Sequence, residues 1–211
     1  MSHFVVTAIV PKHIVDEAEV EGDEFPITGF IEILMAPYCE HLEIPHVNVM
    51  GKRDLSRMRK WYKEKEGLVN PSLAELAKKD WHGTEQWVVG DTLAYRSTYN
   101  PKSKWDWYVI GGRWDGAMRG LEELEDADHG FHFDQKFRTI GRNMCPVSEL
   151  IEREYLPFAV LTPDGKWHER AKMLWFAIEK DPKEGDAWKD EVLAILRKYE
   201  DYVAVSLDCH I

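Results

Sequence analysis

The pattern of hydrophobic residues predicts a strand at each end of the chain. Phe4 to Val10 is rich in β-branched residues and stops at Pro11, which is typical of a buried strand. Tyr202 to Leu207 predicts a closing strand. Phe158 to Thr162 and Lys166 to Lys172 predict a hairpin, because the Asp-Gly pair between them favours a tight turn.

Helical periodicity is clearest from Trp188 to Tyr199, where one stripe of the predicted helix is apolar. Arg53 to Glu66 and Ser72 to Lys79 predict two mostly polar helices, and the second of them starts with the capping box Ser72-x-x-Glu75. Together these two helices resemble an insertion on a core.

The remaining N-terminal pattern is weaker. Asp16 to Asp23 is acidic and predicts a loop, and Ile27 to Leu42 predicts a short helix that turns near Pro37. This order of elements predicts an α+β fold with an antiparallel or mixed sheet, adjacent terminal strands, helices on one face and a helical insertion. We expect a single α+β domain over residues 1–211, with the insertion at residues 52–80.

Composition narrows the function classes. The net charge is −11, with 38 acidic and 27 basic residues, which argues against duplex nucleic acid as a partner because that binding depends on neutralised phosphates. Three cysteines without a Cys-x-x-Cys pair favour neither a disulfide framework nor a zinc ribbon. With no signal peptide and no apolar run of about 18 residues, we expect a cytoplasmic protein that does not meet a membrane.

Asn100 to Trp114 reads NPKSKWDWYVIGGRW and holds three of the nine tryptophans. In an extended chain, Trp105 and Trp107 would share one face and Lys104, Asp106 and Tyr108 the other. One interpretation is a pocket in which aromatic rings hold a flat ligand and Lys104 with Arg113 binds its negative charge. The other interpretation is an aromatic mini-core with an Arg–Asp pair. The candidate ligand-binding residues are Asn100, Lys104, Trp105, Asp106, Trp107, Tyr108, Gly111, Gly112, Arg113 and Trp114.

A second candidate cluster joins the two ends of the chain. Asp208 and His210 lie two residues apart on the closing strand and therefore on one face, and an adjacent first strand would bring His3 beside them. With Glu169 from the hairpin, His3, Asp208 and His210 are candidate catalytic residues for acid–base chemistry if the protein is an enzyme. The alternative is that His210 and Glu169 simply face solvent.

His129-x-x-His132 with Asp134 offers a third set of side chains. It lacks the Glu of the helical zinc-protease motif, so a polar loop is the alternative to metal binding. The sequence does not identify metal ligands, and we expect no cofactor.

Five segments carry a resemblance to a family of proteins from bacteriophages and bacteria: Met1-Ser2-His3-Phe4, Ala36-Pro37-Tyr38 with Glu40, the NPKSKWDWYVIGGRW block, Thr162 to Glu169, and Asp208-Cys209-His210-Ile211. The resemblance departs at Met173-Leu174-Trp175-Phe176, where a Trp-Trp pair is expected. It implies no activity, but it implies a phage or prophage setting in which small acidic proteins counter host defence.

Three functions follow as hypotheses. The first is a binding protein for a small anionic, nucleotide-like ligand through the Trp/Arg pocket. The second is a hydrolase that uses the His/Asp/Glu cluster, with or without a divalent metal. The third is an inhibitor whose acidic surface binds a host protein.

Overall fold

The computed structural model describes residues 2–79, 81, 83–121, 140–174 and 178–211. The chain divides into two compact units, Met1–Glu40 with Lys102–Ile211, and His41–Pro101. The first unit holds both chain ends and every candidate residue of the terminal cluster.

The first unit is built on a mixed sheet. Its strands are β1 (His3–Val10), β5 (Trp107–Ile110), β6 (Met144–Pro146), β7 (Ala159–Leu161), β8 (Trp167–Glu169) and β11 (Val203–His210). Their order is β5-β11-β1-β7-β8, and β6 also pairs with β11. The terminal strands β1 and β11 pair antiparallel along their whole length, whereas β1 and β7 are parallel. The predicted α+β class and the adjacent terminal strands are therefore confirmed.

Helices cover both faces of this sheet. The α1/α2 face packs against α1 (Lys12–Glu21) and α2 (Phe25–Met35), and the α5/α6 face packs against α5 (Val147–Glu152) and α6 (Gly185–Lys198). The α1/α2 face consists of buried apolar residues: Phe4, Val6, Ala8, Val10, Ala159, Leu161, Val205, Leu207 and Cys209. Helices were expected on one face only, but they cover both. The second face also needs cover because alternate residues of the same strands, including Ile9, Val160 and Ala204, are buried and apolar.

The helix α1 replaces the acidic loop expected at Asp16 to Asp23. Val15 and Ala18 are its buried residues, and Gly22 ends it in the left-handed conformation with φ 66°. The acidic side chains of this segment point to solvent, so a narrow apolar stripe was sufficient to form the helix. The next helix ends as expected, since a 3-10 turn at Ala36–Tyr38 follows α2.

The C-terminal predictions agree with the structure. The Asp164-Gly165 turn joins β7 and β8, whose residues pair antiparallel. A further pair of strands, β9 (Lys172–Leu174) and β10 (Ile178–Lys180), forms a two-stranded sheet. Trp188, Val192 and Leu196 of α6 are buried against the α5/α6 face.

The second unit has its own core. It contains α3 (Lys52–Glu66), α4 (Leu73–Ala77) and a three-stranded sheet of β2 (His46–Val49), β4 (Thr92–Ser97) and β3 (Gln86–Val89) in that order. Ser72 and Glu75 form the predicted capping box of α4. The buried residues of this core are Met50, Leu55, Met58, Tyr62, Leu76 and Leu93.

Candidate functional site

The pairing of the terminal strands assembles a histidine site. His3 lies directly opposite His210, and Val5 lies opposite Asp208. Because side chains alternate along a strand, His3, Asp208 and His210 share one face, as the sequence spacing predicted. This is the α5/α6 face, at the end of the sheet that lies away from the apolar residues Ile9 and Ala204.

His3 is held by Asp208. Its Nδ1 atom lies 2.8 Å from Oδ1 of Asp208, whose side chain is only 3% exposed. The other carboxylate oxygen, Oδ2, accepts a 3.0 Å hydrogen bond from the backbone N–H of Arg113. A carboxylate accepts hydrogen bonds, so this pairing favours the tautomer of His3 with its hydrogen on Nδ1.

His210 is held in the same way by a different carboxylate. Its Nδ1 atom lies 2.7 Å from Oδ1 of Asp106, and the backbone N–H of Asp106 donates to the carbonyl of His210 at 3.0 Å. The Asp106 carboxylate also accepts from the backbone N–H of Trp107 at 2.8 Å. The residues His3, Asp106, Trp107, Asp208 and His210 are named the histidine site below.

The three rings of the site are in contact. Trp107 stacks on His210 with ring centroids 5.0 Å apart and an interplanar angle of 12°. His3 meets both rings edge-on, at centroid distances of 5.2 Å. The two imidazoles therefore lie side by side against one indole.

Each imidazole uses Nδ1 for its carboxylate, which leaves Nε2 for another partner. The Nε2 atom of His210 is buried and has no hydrogen-bond partner among the residues that the structure describes. A buried polar atom without a partner costs about 1–3 kcal/mol, so such an atom requires an explanation. A bound molecule that forms a hydrogen bond with Nε2 removes this cost.

The glycine pair shapes the edge of the site. Gly111 and Gly112 have φ values of 76° and 57°, a conformation that favours glycine. A Cβ atom on Gly112 would lie 2.5 Å from Oδ2 of Asp208, so only glycine lets the backbone approach this carboxylate. The turn then directs Arg113 and Trp114 out of the strand, where Arg113 is exposed and Trp114 partly buried.

A set of polar contacts around Asn143, which the sequence did not reveal, supports this turn. Asn143 is buried and its Oδ1 atom accepts from the backbone N–H of Gly116 at 2.9 Å. Its Nδ2 atom donates to Asp115, which also pairs with Arg142 at 2.9 Å. A single asparagine at the end of a short 3-10 helix carries no sequence pattern that predicts this role.

The predicted shared face of Trp105 and Trp107 is wrong. Asp106 lies in a bend, and β5 begins only at Trp107, so the alternation of an extended strand does not apply before that point. Trp105 and Tyr108 pack instead with the core of the α1/α2 face and meet each other edge-on. The indole N–H of Trp105 donates to the carbonyl of Met35 at 3.1 Å.

Tyr108 and Lys104 also lie away from the histidine site. Burial raises the pKa of the Tyr108 phenol above its ordinary value, which fits its place in the core. The Lys104 ammonium pairs at 2.5 Å with Glu169, whose other oxygen accepts from the indole N–H of Trp167 at 2.9 Å. The Trp/Arg pocket is thus not assembled in the form expected from the sequence, because Lys104, Trp105 and Tyr108 do not face Trp107.

Glu169 does not join His3, Asp208 and His210. It pairs in register with Ala159 on β7, and Ala159 belongs to the α1/α2 face. Trp167 and Glu169 share a face, but it is the face opposite the histidines. Three of the four residues of the predicted catalytic cluster therefore converge, and Asp106 is present where Glu169 was expected.

Three other candidates complete this comparison. Asn100 is buried and belongs to the second unit. His129, His132 and Asp134 lie outside the described residues. Cys209 is buried on the α1/α2 face, where burial raises the pKa of its thiol well above the ordinary value, so it does not act with His210.

Within the described ranges, no group of three or more His, Cys, Asp or Glu side chains is placed to hold a metal ion. None of the helices in the described part of the chain is long and apolar enough to cross a membrane. No protein-family model, curated protein or solved structure matches this chain.

Proposed function

We propose that the protein binds a small anionic, nucleotide-like molecule at the histidine site. The observation that carries the proposal is the buried, unpartnered Nε2 atom of His210 beside the imidazole of His3. A phosphate or carboxylate oxygen accepts a hydrogen bond from a protonated imidazole. A ring nitrogen or a hydroxyl of the ligand can also form a hydrogen bond with Nε2, which is a donor when it carries a hydrogen and an acceptor when it does not. Either contact supplies the missing hydrogen bond.

An aromatic surface for a flat ring lies next to these imidazoles. Trp107 is only partly buried although one side of its indole stacks on His210. Stacking on a rigid indole binds a planar base with little loss of conformational entropy. Trp107 therefore takes over the role that the sequence assigned jointly to Trp105, Trp107, Tyr108 and Trp114.

Arg113 is the proposed anion contact. Its backbone N–H is tied to Asp208, so the start of its side chain is fixed at the edge of the histidine site. The guanidinium is exposed and has no ion pair with any described residue. Its planar fork of donors suits a phosphate or carboxylate, whereas Lys104 is already paired with Glu169.

The resemblance to phage proteins suggests a setting for this binding. We propose that the protein acts in the cytoplasm of an infected bacterium and sequesters a signalling nucleotide of the host defence. A chain with a net charge of −11 repels nucleic acid in bulk, so the positive charge for such a ligand has to come from a local site.

A thermal-shift panel tests the proposal. Nucleoside triphosphates, ADP-ribose derivatives, cyclic dinucleotides and divalent ions are added to the wild type, His210→Gln, Arg113→Ala and the control Arg53→Ala. Arg53 is an exposed arginine of α3 in the second unit. A ligand at 100 times its Kd stabilises by about 2.7 kcal/mol, which corresponds to roughly 5–10 °C for a chain of this size.

The proposal predicts that a nucleotide raises the Tm of the wild type and of Arg53→Ala, and that both site variants lose the shift. A shift that survives in both site variants contradicts it. If no compound raises the Tm, the histidine site is not a nucleotide site, and the alternative of an acidic inhibitor that binds a host protein gains support.

A further inference from the structure

We infer that the histidine site also cleaves its ligand, as a paired-imidazole catalyst that transfers the phosphoryl group of a phosphodiester to a hydroxyl. This inference rests on the proposed function, because the phosphodiester has to bind where the two imidazoles meet. It goes further in assigning a reaction and a substrate class to the site.

The strand pairing supplies the two groups that such a reaction needs. General acid–base cleavage requires one side chain to accept a proton from the attacking hydroxyl and a second to donate a proton to the leaving oxygen. His3 and His210 lie opposite each other on the central strand pair, with ring centroids 5.2 Å apart. This side-by-side placement is the geometry that we propose for action on two oxygens of one phosphorus atom.

The carboxylates orient both imidazoles for this task. Asp208 and Asp106 hold Nδ1 of His3 and His210, at 2.8 Å and 2.7 Å. A carboxylate on Nδ1 fixes the ring and stabilises the imidazolium that forms when Nε2 takes a proton. The orienting bonds are separate, so each carboxylate acts on one imidazole.

We assign no protein nucleophile to this reaction. The thiol of Cys209 lies on the opposite face, and the side chains of Thr7 and Ser206 are fully buried further along the same face of the strand pair. The attacking oxygen accordingly belongs to water or to a hydroxyl of the substrate itself. Arg113, whose backbone N–H donates to Asp208, is the proposed partner for the charge of the phosphate.

The reaction balances without any further reactant. The neutral imidazole takes the proton of the attacking hydroxyl while the new P–O bond forms. The P–O bond to the leaving group breaks, and the leaving oxygen takes the proton of the other imidazolium. A neighbouring 2′-hydroxyl yields a cyclic phosphate and an alcohol, whereas water yields a phosphomonoester and an alcohol.

Three phosphodiesters test the inference on the full chain. The probes are adenylyl-3′,5′-adenosine, its 2′-deoxy counterpart and cyclic di-AMP, with products separated by chromatography and binding followed by thermal shift. The variants are His3→Gln, His210→Gln and the control His168→Gln. His168 is a partly buried histidine of β8, on another part of the sheet, and it pairs with Glu191 of α6. Circular dichroism shows whether each variant is folded.

Cleavage by the wild type and by His168→Gln is expected, with kcat lowered by about 10²- to 10⁴-fold in each of the other two variants. A requirement for the 2′-hydroxyl identifies the substrate as the nucleophile, and cleavage of the deoxy probe identifies water. His3 and His210 lie on different strands. If one of the two variants does not fold, the other still tests the inference.

Failure of the inference is distinguishable from failure of the proposed function. A wild type that binds one of these probes and cleaves none of them overturns catalysis and leaves the binding function in place. Cleavage that both folded histidine variants retain also overturns it. A wild type that neither binds nor cleaves any probe or any nucleotide of the panel overturns both proposals.

Discussion

The two faces of the central sheet share the same strands but have different tasks. On the α1/α2 face, residues such as Val6 and Leu207 are fully buried and belong to the apolar core. On the opposite face, the same strand pair runs from Ala204 through Ser206 to Asp208 and His210, so the apolar core gives way to polar side chains. One face stabilises the fold, whereas the other carries the polar side chains of the site, at a cost in stability.

This contrast follows from the alternation of side chains along a strand. A fully apolar face allows the long pairing of β1 with β11, and that pairing then holds His3 opposite His210 without any further device. The apolar face is therefore the support of the site. Changes on the two faces should separate stability from ligand binding.

The largest effect is expected on the apolar face. Leu161→Ala removes a fully buried side chain and leaves a cavity, so the free energy of unfolding should fall by about 2–5 kcal/mol. Nucleotide affinity should stay close to that of the wild type at temperatures where the variant is folded. Urea denaturation measures the loss, and Val20→Ala, at a position that is 88% exposed, is the control expected to change by less than about 0.5 kcal/mol.

Two glycine variants, one at the edge of the site and one in a distant turn, test the contrast between the two faces further. Gly112→Ala and Gly165→Ala both place a side chain at positive φ, 57° and 77°, which costs about 1–2 kcal/mol. Only at Gly112 does the new Cβ meet Asp208, at 2.5 Å, whereas it meets nothing within 4 Å at Gly165. Gly112→Ala should therefore lose up to about 1–3 kcal/mol more and also lose the nucleotide-dependent Tm shift. Equal stability and equal binding in the two variants would contradict this account of the turn.

A third contrast sets the buried Asp208 against an exposed carboxylate. Asp208→Asn weakens two hydrogen bonds in a buried setting and should lower the free energy of unfolding by about 1–2 kcal/mol at neutral pH. Asp164→Asn removes a carboxylate bonded to Lys166 and Thr162, but this pair is exposed and screened, so a loss of a few tenths of a kcal/mol is expected.

The pH dependence of the stability of Asp164→Asn has an expected direction that can be checked. The hydrogen bonds from Lys166 and Thr162 lower the pKa of Asp164 from 3.8 to about 2. Its contribution is therefore present above about pH 4 and is lost as the pH falls towards 2. The small difference in stability between wild type and Asp164→Asn should disappear over that range, and a difference that grows on acidification would be inconsistent with this assignment.

Much of the fold could be predicted from local patterns. The Asp164-Gly165 turn, the capping box at Ser72 and the amphipathic helix ending near Tyr199 each depend on residues close in sequence. The two terminal strands were also predictable, because both are rich in β-branched and apolar residues. In contrast, α1 has a narrow apolar stripe within an acidic segment, and its stability depends on packing against the sheet rather than on its own sequence.

The site was predictable in part. Strand periodicity correctly placed Asp208 and His210 on one face with His3 beside them. It failed at Asp106, where a bend ended the alternation and gave this carboxylate to His210 instead of Arg113. It also gave no information on which face Glu169 would occupy, because that depends on the register of β8 with β7.

The most direct measurement is a long-range ¹H–¹⁵N NMR correlation of the imidazoles of His3 and His210, recorded with and without the nucleotide that gives the largest Tm shift. The account predicts that hydrogen sits on Nδ1 of both rings in the free protein and that the Nε2 signals of both shift saturably with the nucleotide. Saturation of binding with both imidazoles unchanged would contradict the claim that the histidine site holds the ligand.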